Sequence, residues 1–189
     1  MFKLDVELLN DKKFIAMLQS LSNEKTNVAI KAGVKDAGRA ARMVISKGLR
    51  NPGNLNLASS IIKEDVYEPR YTPGGTGLTV KAAYTPRTAR AYKAKANARG
   101  LGVTFYKGQR HQIKRGFFVK GSGSKAGLPF ARTSDERNAK LRIISGPSIA
   151  AAYTNGQNSD ALKAKVERVM EEKLVAGIKR RLKSFTRGF

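Results

Sequence analysis

Gly100-Leu-Gly-Val-Thr-Phe-Tyr-Lys-Gly-Gln-Arg-His-Gln-Ile-Lys-Arg-Gly-Phe-Phe-Val-Lys-Gly121 is the stretch on which the fold turns. In it, β-branched and aromatic residues interleave with glycines and cations, the composition of short strands joined by turns. The stretch lies inside a longer cationic block: from Pro69 to Ser134 there is no Asp or Glu, against fourteen Lys or Arg. The whole chain of 189 residues carries 37 Lys and Arg against 14 Asp and Glu, a net charge of +23. Such a surface repels copies of itself unless something negative faces it, so an anionic partner is expected.

Working outward towards the N-terminus, Tyr84 to Arg99 reads as an extended strand, with an exposed helix as the competing pattern. Leu78 to Ala83 is a further strand candidate, preceded by a turn through Pro73, Gly74, Gly75 and Gly77. Asn51 to Ile62 opens with turn residues, then leads into a short helix or directly into a strand near Ser60 to Glu68. Before it, Ser22-Asn-Glu opens a long helix on which Ile30, Val34, Ala37, Ala41, Val44 and Ile45 recur at helical spacing, ended by Gly48 and Pro52. Gly33 and Gly38 inside that helix cost about 1 kcal/mol each relative to Ala, which implies close approach of another backbone. At the front, Phe2, Leu4, Val6 and Leu8 alternate with charged residues as a strand. A short helix follows, carrying Phe14, Met17, Leu18 and Leu21.

Towards the C-terminus, Gly121 to Gly127 reads as a flexible tip, and Leu128-Pro-Phe-Ala-Arg as an edge strand, because Pro129 cannot donate to a central ladder. Leu141 to Ile144 forms the last strand. A final amphipathic helix runs from about Asp160 to Ser184, with Leu162, Val166, Val169, Met170, Leu174, Ile178, Leu182 and Phe185 on one stripe. The expected class is α+β: a mainly antiparallel sheet packed by N-terminal helices, with a domain over 1–155 and a C-terminal helical extension over 156–189. Too long for a small core to cover, the stripe is expected to meet a neighbouring subunit through Leu162, Val166, Val169, Leu174, Ile178, Leu182 and Phe185.

Composition narrows the function. There is no cysteine, so neither a disulfide nor a thiolate metal site can form. Met1 to Leu9 alternates apolar with charged residues, unlike a signal peptide, and no apolar run approaches the roughly 20 residues of a membrane span. His111 is the single histidine and falls in an expected turn among cations, a poor basis for a catalytic triad. Glu64, Asp65 and Glu68 cluster, and a phosphodiester hydrolase built on them is a remote reading. Glu167, Glu171 and Glu172 are explained by solvated ion pairs, with Lys163 and Glu167, and Arg168 and Glu172, standing four residues apart. Gly74-Gly-Thr-Gly lacks the Lys-Ser/Thr of a phosphate-cradling loop and reads as a turn. No catalytic, cofactor or metal residue is assigned, and no enzyme activity is expected. The candidate contacts to an acidic partner or to DNA are Arg87, Arg90, Lys93, Lys95, Arg99, Lys107, Arg110, Lys114, Arg115 and Lys120. Tyr92, Phe105, Tyr106, Phe117 and Phe118, interleaved with them, suit either a stacking surface or a sheet core.

The run from Gly102 to Val119, the glycine-rich tip, the Phe-Ala-Arg strand and Leu141-Arg-Ile-Ile-Ser-Gly-Pro-Ser-Ile resemble the prophage minor tail protein Z family. Members of that family carry a basic strand, an Ile-Lys/Arg-Gly-Ala/Phe-Phe turn into a strand, and a Gly-Pro-Ser-Val/Ile step into a helix. The resemblance covers roughly Phe2 to Tyr153 and is most specific from Leu101 to Ile149. Phe117, where small residues are common, and the long C-terminal helix depart from it. The resemblance implies a tail-completion protein at the head-proximal end of a long phage tail, needed for head–tail joining. It also implies partners among terminator, tube or connector rings, a homo-oligomeric ring of six copies, non-specific contact with packaged DNA, and a place in the virion. The rival expectation, from charge alone, is a free basic nucleic-acid-binding protein associated with ribosomes or the nucleoid.

Overall fold

A computed structural model describes residues 23–51, 54–75, 77–134, 136, 138–156 and 158–186. The strand and short helix expected before Ser22 lie outside these residues. The protein is α+β, with helices α1 (Asn23–Gly48), α2 (Ser59–Asp65), α3 (Ile149–Asn155) and α4 (Ser159–Thr186). Its strands are β1 (Arg70–Tyr71), β2 (Leu78–Thr79), β3 (Lys95–Asn97), β4 (Gly100–Tyr106), β5 (Gln109–Ile113), β6 (Gly116–Phe118), β7 (Pro129–Arg132) and β8 (Leu141–Ile143). They form three antiparallel sheets, β1-β2, β3-β4-β5 and β6-β7-β8.

Two compact units divide the chain. The helical unit comprises the described residues up to Ile45, Val66–Lys81, and the described residues from Ala161 on; the sheet unit comprises Ser46–Asp65 and Ala82–Asp160. In the helical unit, Ala29, Val34, Ala37, Ala40, Ala41 and Ile45 of α1 are buried; of the stripe expected from spacing, Val34, Ala37, Ala41 and Ile45 are buried, and Ile30 and Val44 are half-buried. Glu24 in the first turn and Lys47 in the last complement the helix dipole. The small residues have a geometric reason. A Cβ placed on Gly33 would stand 2.6 Å from the Leu174 carbonyl oxygen, and one placed on Gly177 would stand 2.8 Å from Gly33 Cα. Backbone therefore meets backbone where α1 crosses α4, as the helix-interior glycine at 33 implied. Gly38 is different: a Cβ there would meet the side chains of Leu78, Pro69 and Tyr71, around the β1-β2 hairpin.

This crossing overturns the interface expected for α4. Leu162, Val166, Leu174, Ile178 and Leu182 are buried within the chain itself, and Val169 and Phe185 are half-buried, so no free apolar stripe awaits a second subunit. The length argument failed because α1, at 26 residues, is nearly as long as α4 at 28 and can cover it. For the same reason α4 is no extension appended at 156–189. It shares a unit with α1.

In the sheet unit the reading from Gly100 outward holds in kind, with three differences. Tyr84 to Arg99 is not one extended strand; a single 3-10 turn, Ala89–Tyr92, precedes the short β3. That turn sets Ala89 and Tyr92 on one side, where both are buried, and ends with Lys93 in the left-handed region at φ 55°. The strand expected over Leu78 to Ala83 shortens to two residues. Finally, β7 is the central strand of its sheet, not an edge. Pro129 is tolerated because it is the first residue of β7, where its carbonyl accepts from the Ile144 N–H at 2.9 Å and no donor is needed.

Candidate functional site

The residues of the motif step from β8 into α3 converge with β4. Tyr92 and Phe105 meet edge to face with ring centroids 5.1 Å apart. A Cβ on Gly146 would lie 2.5 Å from Tyr92 and 2.6 Å from Phe105, so only glycine fits. Tyr92 then donates its hydroxyl hydrogen to the Pro147 carbonyl at 2.7 Å, and Ser148 Oγ accepts from the Ala151 N–H at 3.1 Å as the N-cap of α3. Burial pushes the Tyr92 phenol well above its usual range, with smaller contributions from nearby Tyr106 and Asp65. At the β5-β6 turn, Arg115 adopts φ 59° and Gly116 follows. A Cβ on Gly116 would come within 2.7 Å of Leu101 Cβ, which accounts for the glycine of the Ile-Lys-Arg-Gly turn.

Of the ten cations expected to meet an anion, Arg87 and Lys107 are tied into the sheet unit. Arg87 Nε donates to Asp65 Oδ2 at 2.8 Å, and its Nη2 pairs with Asp65 Oδ1. Glu64 stands 3.6 Å from the same guanidinium. This fork holds a carboxylate whose side chain is only 6% exposed, so Arg87 neutralises a buried charge and is withdrawn from the candidate surface. Lys107 Nζ donates to the Arg50 carbonyl, and the Lys107 N–H to the Asn54 carbonyl at 2.8 Å, anchoring the β4-β5 hairpin. The other eight, Arg90, Lys93, Lys95, Arg99, Arg110, Lys114, Arg115 and Lys120, are exposed.

The acidic cluster dissolves into ion pairs. Asp65 is held by Arg87, while Glu68 pairs with Arg42, whose Nε also donates to the Val66 carbonyl at 2.9 Å. On α4, Arg168 and Glu172 are paired at 3.3 Å as their spacing implied. His111 lies in β5 opposite Val103, not in a turn, with its ring 6.0 Å from that of Phe105. The aromatics divide unequally. Tyr92 is buried, and Phe105, Tyr106, Phe117 and Phe118 are half-buried, so they serve the sheet core more than a stacking surface. Among the described residues, no group of three or more His, Cys, Asp or Glu is placed to hold a metal ion, and no helix is long and apolar enough to cross a membrane.

No protein-family model matches this chain, and neither does a curated protein or a solved structure. The site is therefore defined by its own geometry. Register places Lys95 opposite Gly102, and Gly102 opposite Gln112, so three strands present one row. Asn97 and Gln112 exchange hydrogen bonds across the middle strand, Nδ2 to Oε1 at 3.3 Å and Nε2 to Oδ1 at 3.2 Å. These two amides, and the glycines beneath them, were missed in the sequence. Nothing in a linear reading says that positions fifteen residues apart lie across a strand from one another.

Proposed function

We propose that this chain is a structural virion protein, a tail-completion or neck component at the head-proximal end of a long phage tail, needed for head–tail joining. The observation that carries the reading is the coherence of the positions behind the resemblance to the minor tail protein Z family. Phe105, Gly116, Gly146 and Ser148 each occupy a place that suits their residue type: an aromatic pair, two close contacts that a side chain would obstruct and a helix cap. The proposed partners are the terminator, tube or connector rings of the neck, with a closed homo-oligomeric ring, of six copies by analogy with the family it resembles. With the α4 stripe buried, ring contacts fall elsewhere; Leu141 and Ile143, each 49% exposed on β8, are apolar positions open to one.

A free nucleic-acid-binding protein is the second reading, favoured by the eight exposed cations of the sheet unit. Purification separates the two. The tail reading expects peptides of this chain, in fixed stoichiometry, in mass spectra of purified phage particles. Their repeated absence from particles, with recovery on ribosomes or bulk DNA, would overturn it.

A further inference from the structure

The three-stranded sheet has two unlike faces. Alternation and register place Leu101, Val103, Ile113 and His111 on one, where Leu101 and Val103 are buried. On the other stand Lys95 and Asn97 of β3, Gly102 and Thr104 of β4, and Arg110 and Gln112 of β5. Lys95, Asn97, Arg110 and Gln112 are exposed. Gly102 makes room for them: a Cβ there would sit 3.4 Å from both Arg110 Nη2 and Gln112 Oε1, so guanidinium and amide lie down over the bare strand. The acceptors of this face are largely used. Asn97 Oδ1 takes hydrogen bonds from Gln112 and, at 2.9 Å, from the Arg99 N–H, while Gln112 Oε1 takes one from Asn97. The donors left over are one hydrogen on each amide, the Lys95 ammonium and the Arg110 guanidinium.

We propose that this open face of the β3-β4-β5 sheet binds the phosphate backbone of double-stranded nucleic acid. Lys, Arg, Asn, Gln and Thr are among the side chains that donate to phosphate oxygens, and this face holds one of each. A protein partner fits less well, because protein interfaces gain their energy from buried apolar and aromatic anchors and the face carries none. A single strand fits less well too, since stacking needs exposed rings, whereas Phe105 is turned against Tyr92. Nor is there an acid anywhere from Pro69 to Ser134 to repel the phosphates. The inference does not rest on the tail reading, and a soluble protein bound to cellular DNA would use the same face.

The test is binding of the full chain to a labelled random-sequence DNA duplex over a range of salt concentrations. Lys95→Gln with Arg110→Gln is compared with a charge-matched control on α4, Lys165→Gln with Lys173→Gln, both exposed positions. The sheet variant is expected to flatten the log–log salt slope by about 1.8, two contacts at about 0.9 each, and to weaken binding on the order of tenfold. The control should keep the parental slope, as should Lys95→Arg with Arg110→Lys, which preserves charge; the single variants Lys95→Gln and Arg110→Gln, each expected to flatten the slope by about 0.9, decide the matter if the double variant is misfolded. Equal losses in the sheet variant and the α4 control would overturn the proposal in favour of diffuse attraction to the net charge. Tighter binding to a single strand with the same number of phosphates would overturn it in favour of stacking. Failure of the parental chain to bind duplex at low salt would leave the face to an acidic protein.

Discussion

Glycine serves opposite ends in the two units. In the helical unit, Gly33 and Gly177 lie at the crossing of α1 and α4, where the missing side chains let backbones touch and drive Ile178 and Leu182 to complete burial. In the sheet unit, Gly102 lies under a polar face, where the missing side chain lets Arg110 and Gln112 lie flat while remaining exposed. Charge follows the same division. The helical unit matches several cations with its own acids: Arg180 with Asp36 at 2.6 Å, Arg42 with Glu68, Arg168 with Glu172. The sheet unit spends Arg87 on Asp65 and leaves a broad set of cations in a segment without an acid of its own. Three cations of one unit are matched within it, whereas eight candidate cations of the other are exposed.

The helical half of this comparison is the easiest to break. Ile178 is fully buried, so Ile178→Ala should destabilise the isolated chain by about 3–4 kcal/mol, read as a lower denaturant midpoint. A loss below about 1 kcal/mol would mean that the stripe is not a core, and would restore a subunit interface there. Arg87→Ala should come next, at about 2–4 kcal/mol, because it strands the buried Asp65 carboxylate; the figure is held down because Arg87 is itself a third exposed. Gly177→Ala should cost about 1–2 kcal/mol, the overpacking against Gly33 outweighing alanine's better helix propensity. Gly123→Ala, where nothing lies within 4 Å, should be close to neutral by comparison.

The smallest effect is a pH dependence. Tyr92 is raised above the ordinary phenol value of 10.0 by burial, so the folded state holds its proton more tightly than the unfolded chain does. That contribution is complete below pH 10 and is lost as pH rises from there towards the folded value, by up to about 1.4 kcal/mol per pH unit for one proton. Tyr92→Phe should cost about 1 kcal/mol at neutral pH through the lost bond to Pro147, and should make the alkaline decline shallower. Some decline should persist, since burial also raises Tyr106 and Tyr71. An unchanged alkaline slope in Tyr92→Phe would show that its hydroxyl is not buried as described.

What was legible in the sequence is what repeats locally. The spacing of Ala29 to Ile45 and of Leu162 to Leu182 marks two amphipathic helices, and Gly100 to Val119 marks a run of short strands, because periodicity is a property of neighbouring residues. What was not legible depends on partners remote in the chain. Pro129 spoke for an edge strand, but which strand is central depends on where β8 returns. The α4 stripe spoke for a second subunit, but α1, more than a hundred residues earlier, packs on it at Leu174 and Ile178. The ten candidate cations were read as one set by charge. Only the three-dimensional neighbours Asp65 and Arg50 withdraw Arg87 and Lys107 from it, and only register gathers Lys95 and Arg110 about a glycine floor.

The central claim, that the sheet unit and not the helical unit presents its cations to an anion, is tested most directly by lysine labelling. The full chain would be acylated with and without duplex DNA, and the modification of each lysine read by mass spectrometry. The account predicts strong protection of Lys95, with Lys165 and Lys173 of α4 labelled at unchanged rates, all three being exposed in the free protein. Equal protection on α4, or none at Lys95 under conditions where the duplex is bound, would contradict it.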